Sequence, residues 1–359
     1  MNTHTCRCYG LRQAQWFCAM LALGVLLVFI SSALAQQLRE DEQGTLYYDN
    51  QAPGDAEREI SSPSPPARRT PSVSRSPARS FSTFTTGLLW RIDSPLAGAR
   101  RVQPSYIFGT MHSGDPRILK LTTTVEPTLK KSDSFCMELL ATPAAVATLS
   151  QSLLYTNGQT LSSVIGNDLF RKLVPLMNAH GIPEPMLTLF KPWAVIMGLS
   201  APPQEQASLS LDFALHNIAK QSGKQVCGIE TVEEQISVFE EIPLADQIAI
   251  LRDLTKGEQP LERLTQQREQ LAARYLARDL SGLLSLSYDL TADDPNGRRI
   301  LTQFLRRLTD KRNVRMVERL VPRLQQESVF IAVGALHLPG KNGILQMLAD
   351  RGYAVSVMY

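Results

Sequence analysis

Cysteine is scarce: the chain has five in 359 residues, and Cys6, Cys8 and Cys18 sit near its start, so only Cys136 and Cys227 fall in its body. That excludes a disulfide-dense scaffold and a cysteine-rich zinc module. An excess of one charge is lacking as well. Lys and Arg number 37 against 34 acids, a net +3; the first 35 residues hold Arg7 and Arg12 and no acid, and removing those two leaves +1. Such a balance gives no electrostatic footprint for nucleic acid. Several motifs are missing: Gly-x-x-x-x-Gly-Lys-Ser/Thr, Gly-x-Gly-x-x-Gly, Gly-x-Ser-x-Gly and His-Glu-x-x-His. Nucleotide binding, a serine-hydrolase elbow and the commonest zinc-protease helix therefore have no motif support. What is present, 43% hydrophobic and 20% charged residues, describes a globular chain rather than a disordered, collagenous or polytopic membrane protein.

Residues 1–35 read as an export signal. Arg7 and Arg12 precede the apolar run Trp16 to Ile30, and Ser32-Ala33-Leu34-Ala35 places small residues where a signal peptidase cuts. Cleavage after Ala35 would leave no integral membrane domain and would deliver the rest across a membrane, to the periplasm in a bacterial cell. The alternative is an uncleaved N-terminal anchor facing the same compartment. Residues 36–86 follow as a disordered linker: Pro63, Pro65, Pro66, Pro71 and Pro77 are interspersed with Ser, Arg and acids, without apolar periodicity. Residues 87–359 are long enough for one large domain with a substantial core.

Within that domain, strand patterns at Ser105 to Phe108, Ser134 to Met137, Gln225 to Ile229, Val329 to Val333 and Ala354 to Met358 alternate with helical ones. The helices are expected over Thr160 to Gly181, Leu209 to Ser222, Pro243 to Thr255, Leu261 to Ala277, Gly297 to Gln325, and from Asn342 to a stop at Gly352. The fold class is α/β or α+β, a central mixed sheet flanked by helices. Two strands end alike, Ile107-Phe108-Gly109-Thr110-Met111-His112 and Ala332-Val333-Gly334-Ala335-Leu336-His337. Each runs on through a helical stretch into another strand, so the domain reads as two pseudo-repeated halves, each with a Gly-x-x-His strand end.

These repeated ends carry the chemistry. Gly109 and Gly334 permit a turn or a close approach, and His112 and His337 would then face a crevice at the carboxyl ends of the strands, able to ligate a metal or move a proton. Glu138 and Glu230 each follow a short apolar strand, where an ionised carboxylate requires a partner. Arg312 lies four residues beyond Leu308 on the apolar stripe of Leu301, Leu305 and Met316. There it could clamp either glutamate or stabilise an oxyanion, with Asn313 beside it. Asp212 interrupts an apolar run near a helix start and is a further polar candidate, with capping as its plain explanation. Glu230 has a similar plain explanation, capping the helix that starts at Thr231. Cys136 and Cys227, each leading to a glutamate, read equally well as a disulfide or as two buried thiols.

With those residues assembled, the chain resembles the TraB/GumN family, which includes the TIKI group of secreted or membrane-tethered metalloproteases. The resemblance rests on Gly109-Thr110-Met111-His112, on Glu138, and on Leu211-Asp212. It continues in Gly223-Lys224-Gln225-Val226-Cys227-Gly228-Ile229-Glu230-Thr231-Val232-Glu233-Glu234-Gln235, in Arg312-Asn313, and in Gly334-Ala335-Leu336-His337-Leu338. Ile229 stands where many relatives carry Leu, and Ala335-Leu336 where many carry Ala-Gly; both changes keep every polar group. The resemblance implies two related halves sharing a sheet, as in erythromycin esterases and ChaN-type proteins, with Mn or Co ahead of Zn in catalytic relatives. The expected activity is an exported metal-dependent hydrolase, a peptidase among the options. His112, Glu138 and His337 would hold the metal, Glu230 would act as base and Arg312 as oxyanion partner. Its substrate would be a peptide or small molecule. The alternatives are a non-catalytic periplasmic binding or regulatory protein and a metal-independent esterase with one histidine as base.

Overall fold

The computed structural model describes residues 84–95, 103–201, 209–288 and 295–359, with the backbone alone of 38–40 and 46–48. The export signal, Cys6, Cys8, Cys18 and most of the linker lie outside the described residues. Inside the stretch expected to be a linker, Leu38–Glu40 pairs antiparallel with Leu46–Tyr48. Among the described residues no helix is long and apolar enough to cross a membrane.

Six strands form one mixed sheet: β1 (Leu89–Asp93), β2 (Ser105–Thr110), β3 (Ser134–Met137), β4 (Gln225–Gly228), β5 (Val329–Gly334) and β6 (Ala354–Val357). Their spatial order is β4-β3-β5-β2-β1-β6. Strands β4, β3, β5 and β2 run parallel, β1 is antiparallel to β2, and β6 is antiparallel to β1. Sequence and position agree. Ser-Phe-Cys-Met in β3 and Val-Phe-Ile-Ala-Val-Gly in β5 are buried at every position, as central parallel strands covered on both faces must be. The edge strands β4 and β6 are only partly buried. Phe330 of β5 stacks on Phe135 of β3 at 6.1 Å and tilts against Phe108 of β2 at 6.5 Å, so one aromatic layer locks three strands together.

The two Gly-x-x-His strands are immediate neighbours. β2 pairs with β5 in the register Gly109↔Val333 and Thr110↔Gly334, so the motifs lie side by side, one residue out of step. From this seam the chain diverges. β2 leads through the helix Leu121–Lys131 to β3 on the far side of β5, and β5 leads through the helix Ile344–Ala349 to β6 at the opposite edge. The halves are unequal because β1, a strand the sequence pattern did not single out, is inserted between β2 and β6.

Two expected long helices are interrupted. Thr160 to Gly181 divides into Leu161–Ile165 and Asn167–Ala179 at Gly166, whose φ of +86° a side chain would resist. Gly297 to Gln325 divides into Pro295–Leu305 and Lys311–Leu324 around a π-helical turn, Arg306–Asp310. Wide turns of this kind re-aim the residues that follow, and here those residues are Arg312 and Asn313.

Candidate active site

Because β4, β3, β5 and β2 point the same way, their carboxyl ends lie in a row and deliver Glu230, Glu138, His337 and His112 in that order. The β3–β4 pairing continues past the strands: Ile229 N–H donates to Met137 O at 2.8 Å and Glu230 N–H to Glu138 O at 2.8 Å, so the two carboxylates leave side by side. At the β2–β5 seam, a Cβ on Gly109 would stand 3.1 Å from Ala335 Cα and 2.8 Å from Leu338 Cδ1. Glycine is what lets the two turns approach. Gly334 has an ordinary φ of −53°; its contribution is its N–H, which donates to Glu138 Oε1 at 2.6 Å.

Arg312 clamps both glutamates. Its Nη2 donates to Glu138 Oε2 and to Glu230 Oε2, each at 2.5 Å, its Nε donates to Glu230 Oε1 at 2.9 Å, and its Nη1 donates to Leu308 O at 3.1 Å. The guanidinium is fully buried and Glu138 is 1% exposed. Gln235 Nε2 reaches both carboxylates, at 3.2 Å from Glu230 and 3.4 Å from Glu138. Burial opposes ionisation of Glu138, but the adjacent Arg312 charge, with His337, His112 and the Gly334 N–H, outweighs it and draws the carboxyl down to about 2. Burial likewise disfavours the charged form of Arg312, and the two carboxylates reverse that, moving it above its ordinary value. Glu230 does not cap the following helix: Thr231 does, with Glu234 completing the capping box.

Each histidine has one ring nitrogen fixed by a side chain from a helix. Asn313 donates its amide to His337 O at 3.2 Å and Asn342 O at 2.7 Å, so its Oδ1 faces His337 Nδ1 at 2.6 Å as an acceptor. His337 therefore carries its proton on Nδ1, and its Nε2 presents a lone pair. That Nε2 is buried with no hydrogen-bond partner and stands 3.6 Å from Glu138 Oε1. Burial pushes the imidazole down to about 3, against the pull of Glu138, so it is neutral near pH 7. His112 Nδ1 lies 2.6 Å from Asp212 Oδ2, and Thr110 Oγ1 donates to Asp212 Oδ1 at 2.6 Å. Since a carboxylate only accepts, His112 too holds its proton on Nδ1. Asp212 is no cap: Ser210 precedes the helix Leu211–Gln221, whose first N–H donates to Ser113 O at 3.0 Å and so ties the helix to the His112 turn.

The structure thus brings together His112, Glu138, Asp212, Glu230, Arg312, Asn313 and His337, all buried. It adds residues that sequence reasoning passed over. Thr110 lies inside the first Gly-x-x-His motif, and Gln235 closes the run that begins at Gly223. Tyr275, whose hydroxyl donates to Gly109 O at 2.7 Å, has no local signal at all.

Among the described residues no group of three or more His, Cys, Asp or Glu side chains stands at metal-ligand spacing. The donor chemistry nevertheless fits a divalent cation. An orphaned imidazole nitrogen faces a carboxylate oxygen, and both histidines have Nδ1 held by a side-chain oxygen, the outer arrangement that orients metal-binding imidazoles. Nε2 of His112 and His337 with Oε1 of Glu138 would make a mixed nitrogen and oxygen set suited to Mn, Co or Zn.

A mixed α/β protein with paired, side-chain-backed histidines and a clamped carboxylate pair at its parallel strand ends is the class these features define. The chain belongs to the TraB/PrgY/gumN family, whose profile it matches over residues 88–357. It is similar to Metalloprotease TIKI2 of Danio rerio, 27% identical over 74% of this chain and 60% of that protein. It is also similar to Metalloprotease TIKI1 of Homo sapiens, 25% identical over 74% of this chain and 62% of the relative. Uncharacterized protein YbaP of Shigella flexneri is 26% identical over 72% of this chain and 91% of its own length. The chain thus spans about three fifths of the length of the TIKI relatives it matches. No solved structure matches it.

Proposed function

We propose that this protein is an exported hydrolase of peptide or ester bonds, working at the carboxyl ends of β2, β3 and β5. Family membership and the metalloprotease relatives support hydrolysis. The observation that carries the reading is His337 Nε2, a neutral, unpartnered nitrogen facing the ionised Glu138. His112, His337 and Glu138 would hold a divalent cation, Mn or Co ahead of Zn. Such an ion polarises a substrate carbonyl and lowers the pKa of a bound water. The chain's own residues do the rest. Asn313 and Asp212 fix the imidazoles in one tautomer, and Arg312 keeps Glu138 ionised where burial alone would neutralise it. Glu230 accepts from Arg312 through both oxygens; this favours a positioning carboxylate over the general base expected from sequence, and Arg312, spent on two carboxylates, over an oxyanion partner. Because His337 is fully buried, substrate reaches it only when the covering segments move. Export is supported by the leader and by a Cys136–Cys227 disulfide, a bond that persists in oxidising compartments.

A second reading has its own observation. The Asp212–His112 pair has the geometry of a base with its orienting acid, which would support hydrolysis without an ion, as in the esterase alternative.

The test is metal content and ester and peptide hydrolysis by the purified protein beside His112→Ala/His337→Ala. Near-stoichiometric metal and activity, both lost in the double variant, are expected. Activity that survives chelation with the metal gone would transfer the assignment to the Asp212–His112 base, and activity in the double variant would overturn the site.

A further inference from the structure

Cys136 and Cys227 are register partners in the parallel pair β3–β4, and their sulfurs are joined across a Cα–Cα distance of 4.6 Å. Two residues beyond Cys136 is Glu138; three beyond Cys227 is Glu230. The bond therefore lies directly behind the two carboxylates that Arg312 clamps. β4 is an edge strand of four residues with a single strand neighbour, so the backbone ladder holding it is short. Its end also carries a buried charge cluster. Two buried carboxylates share one buried guanidinium, and the next cation, Arg315, is 3.7 Å from Glu230 and partly exposed. A bridge of this kind holds only at one spacing of the two strand ends, because one guanidinium must reach both carboxylates at once in a poorly screened interior. A covalent link two residues before Glu138 and three before Glu230 fixes that spacing.

We propose that Cys136 and Cys227 are positioning residues whose disulfide holds the Glu138 and Glu230 ends of β3 and β4 at the spacing Arg312 bridges, so that reducing it disables the site without unfolding the protein. Cys136 is fully buried and Cys227 only partly so, which makes the Cys227 sulfur the point of attack. A dithiol reductant adds one thiolate to Cys227 Sγ and expels Cys136 as its thiolate, which takes up a proton. The second thiol of the reductant then displaces Cys227 and leaves as the reductant's own disulfide, two electrons having passed to the protein. Oxidation is the reverse, with a partner disulfide accepting those electrons. The site's activity thereby depends on the redox state of its compartment.

The activity half of this inference rests on the hydrolase reading, so the experiment has a readout that does not. The intact protein, oxidised or reduced with a phosphine that does not strip cations, is compared with Cys136→Ala/Cys227→Ala by amide hydrogen exchange and by steady-state hydrolysis. Exchange at Glu230 and Gly334, whose N–H groups bond to Glu138, is expected to accelerate at least about tenfold on reduction. Amides in the β1–β2 ladder should keep their protection. kcat should fall about 10- to 100-fold with KM nearly unchanged, the scale of losing an outer-shell support, and reoxidation should restore it. The double variant should behave as the reduced protein and ignore the reductant. Unchanged exchange at Glu230 and Gly334 would overturn the proposal; so would acceleration across the whole sheet, which would make the bond a general stability element. Absence of hydrolysis in the oxidised protein would count against the hydrolase reading alone, because exchange still decides the clamp.

Discussion

His337 Nε2 stands 3.6 Å from Glu138 Oε1, and that nitrogen is buried with no hydrogen-bond partner. Asn313 has fixed the proton on the opposite ring nitrogen, so a lone pair faces an ionised carboxylate. Two electron-rich atoms brought this close in the dry interior repel unless something positive lies between them. A proton would serve, but burial and Arg312 hold His337 down to about 3. A divalent cation between them, as proposed above, would satisfy both.

Stability in the metal-free protein should fall with acid in two stages. The folded His337 has a depressed pKa, about 3 against 6.5. Below 6.5 the unfolded chain therefore binds a proton that the native state refuses, and stability declines from there down to about 3. Glu138 is also depressed, about 2 against 4.5, so the stability it confers is fully present above 4.5 and is lost as the pH drops toward 2. Urea denaturation across pH 7 to 5, with a chelator present, should show a His337 contribution of up to about 1.4 kcal/mol per pH unit. His337→Gln should flatten that slope by one proton; an unchanged slope would assign the titration to another group.

Arg312→Met should be among the most damaging single changes. It leaves two buried carboxylates without their cation, a loss of about 3–5 kcal/mol for breaking one side of a buried ion pair. The triple change Glu138→Gln/Glu230→Gln/Arg312→Met removes the charges together and should recover much of that loss while abolishing activity. Denaturation midpoints of the two variants decide the point: if the triple change is no more stable than Arg312→Met, the damage comes from packing rather than from unpaired charge.

Legibility from sequence followed the physics of each element. The strands β2, β3, β4, β5 and β6 could be placed because short apolar runs between turn residues are distinctive, whereas β1 follows the Pro- and Ser-rich stretch in the sequence and pairs Arg91 with Asp93 along one exposed face. The helix Pro192–Ser200 escaped because all nine of its residues are buried, leaving no 3.6-residue period to detect. The candidate residues were legible as polar intruders, the histidines and glutamates at strand ends and Arg312 and Asp212 in apolar helical runs. Their pairings were not. That Asp212 serves His112 rather than a helix start, and that Asn313 sets the His337 tautomer, depends on helices packed from about 100 and 24 residues away. The π-turn before Arg312 leaves no mark in the apolar stripe.

Asp212→Asn separates the two readings of the site. The substitution preserves size and the Thr110 contact can rearrange, so the fold should persist. If His112 binds an ion, loss of its outer partner should cost about 10- to 100-fold in activity or metal affinity. If His112 is the general base, the cost should approach about 10⁴-fold in kcat, because an amide no longer enforces the tautomer or stabilises the imidazolium. Steady-state kinetics alongside metal titration distinguishes these; wild-type kinetics would remove Asp212 from the machinery.

The β2–β5 seam offers a purely steric test. A methyl group at Gly109 would lie 2.8 Å from Leu338 Cδ1 and 3.1 Å from Ala335 Cα. The leucine tip can swing away, but Ala335 Cα is backbone in the turn that carries His337. Gly109→Ala should therefore destabilise by about 1–3 kcal/mol, the range for overpacking a filled interior. It should also lower activity, because the displaced turn moves His337 relative to His112. Adding Leu338→Ala clears the first clash and not the second, so in a double-mutant cycle the two changes should couple favourably yet leave activity unrestored. Full restoration of activity in the double variant would show that the leucine, and not the approach of the two turns, makes glycine necessary at this position.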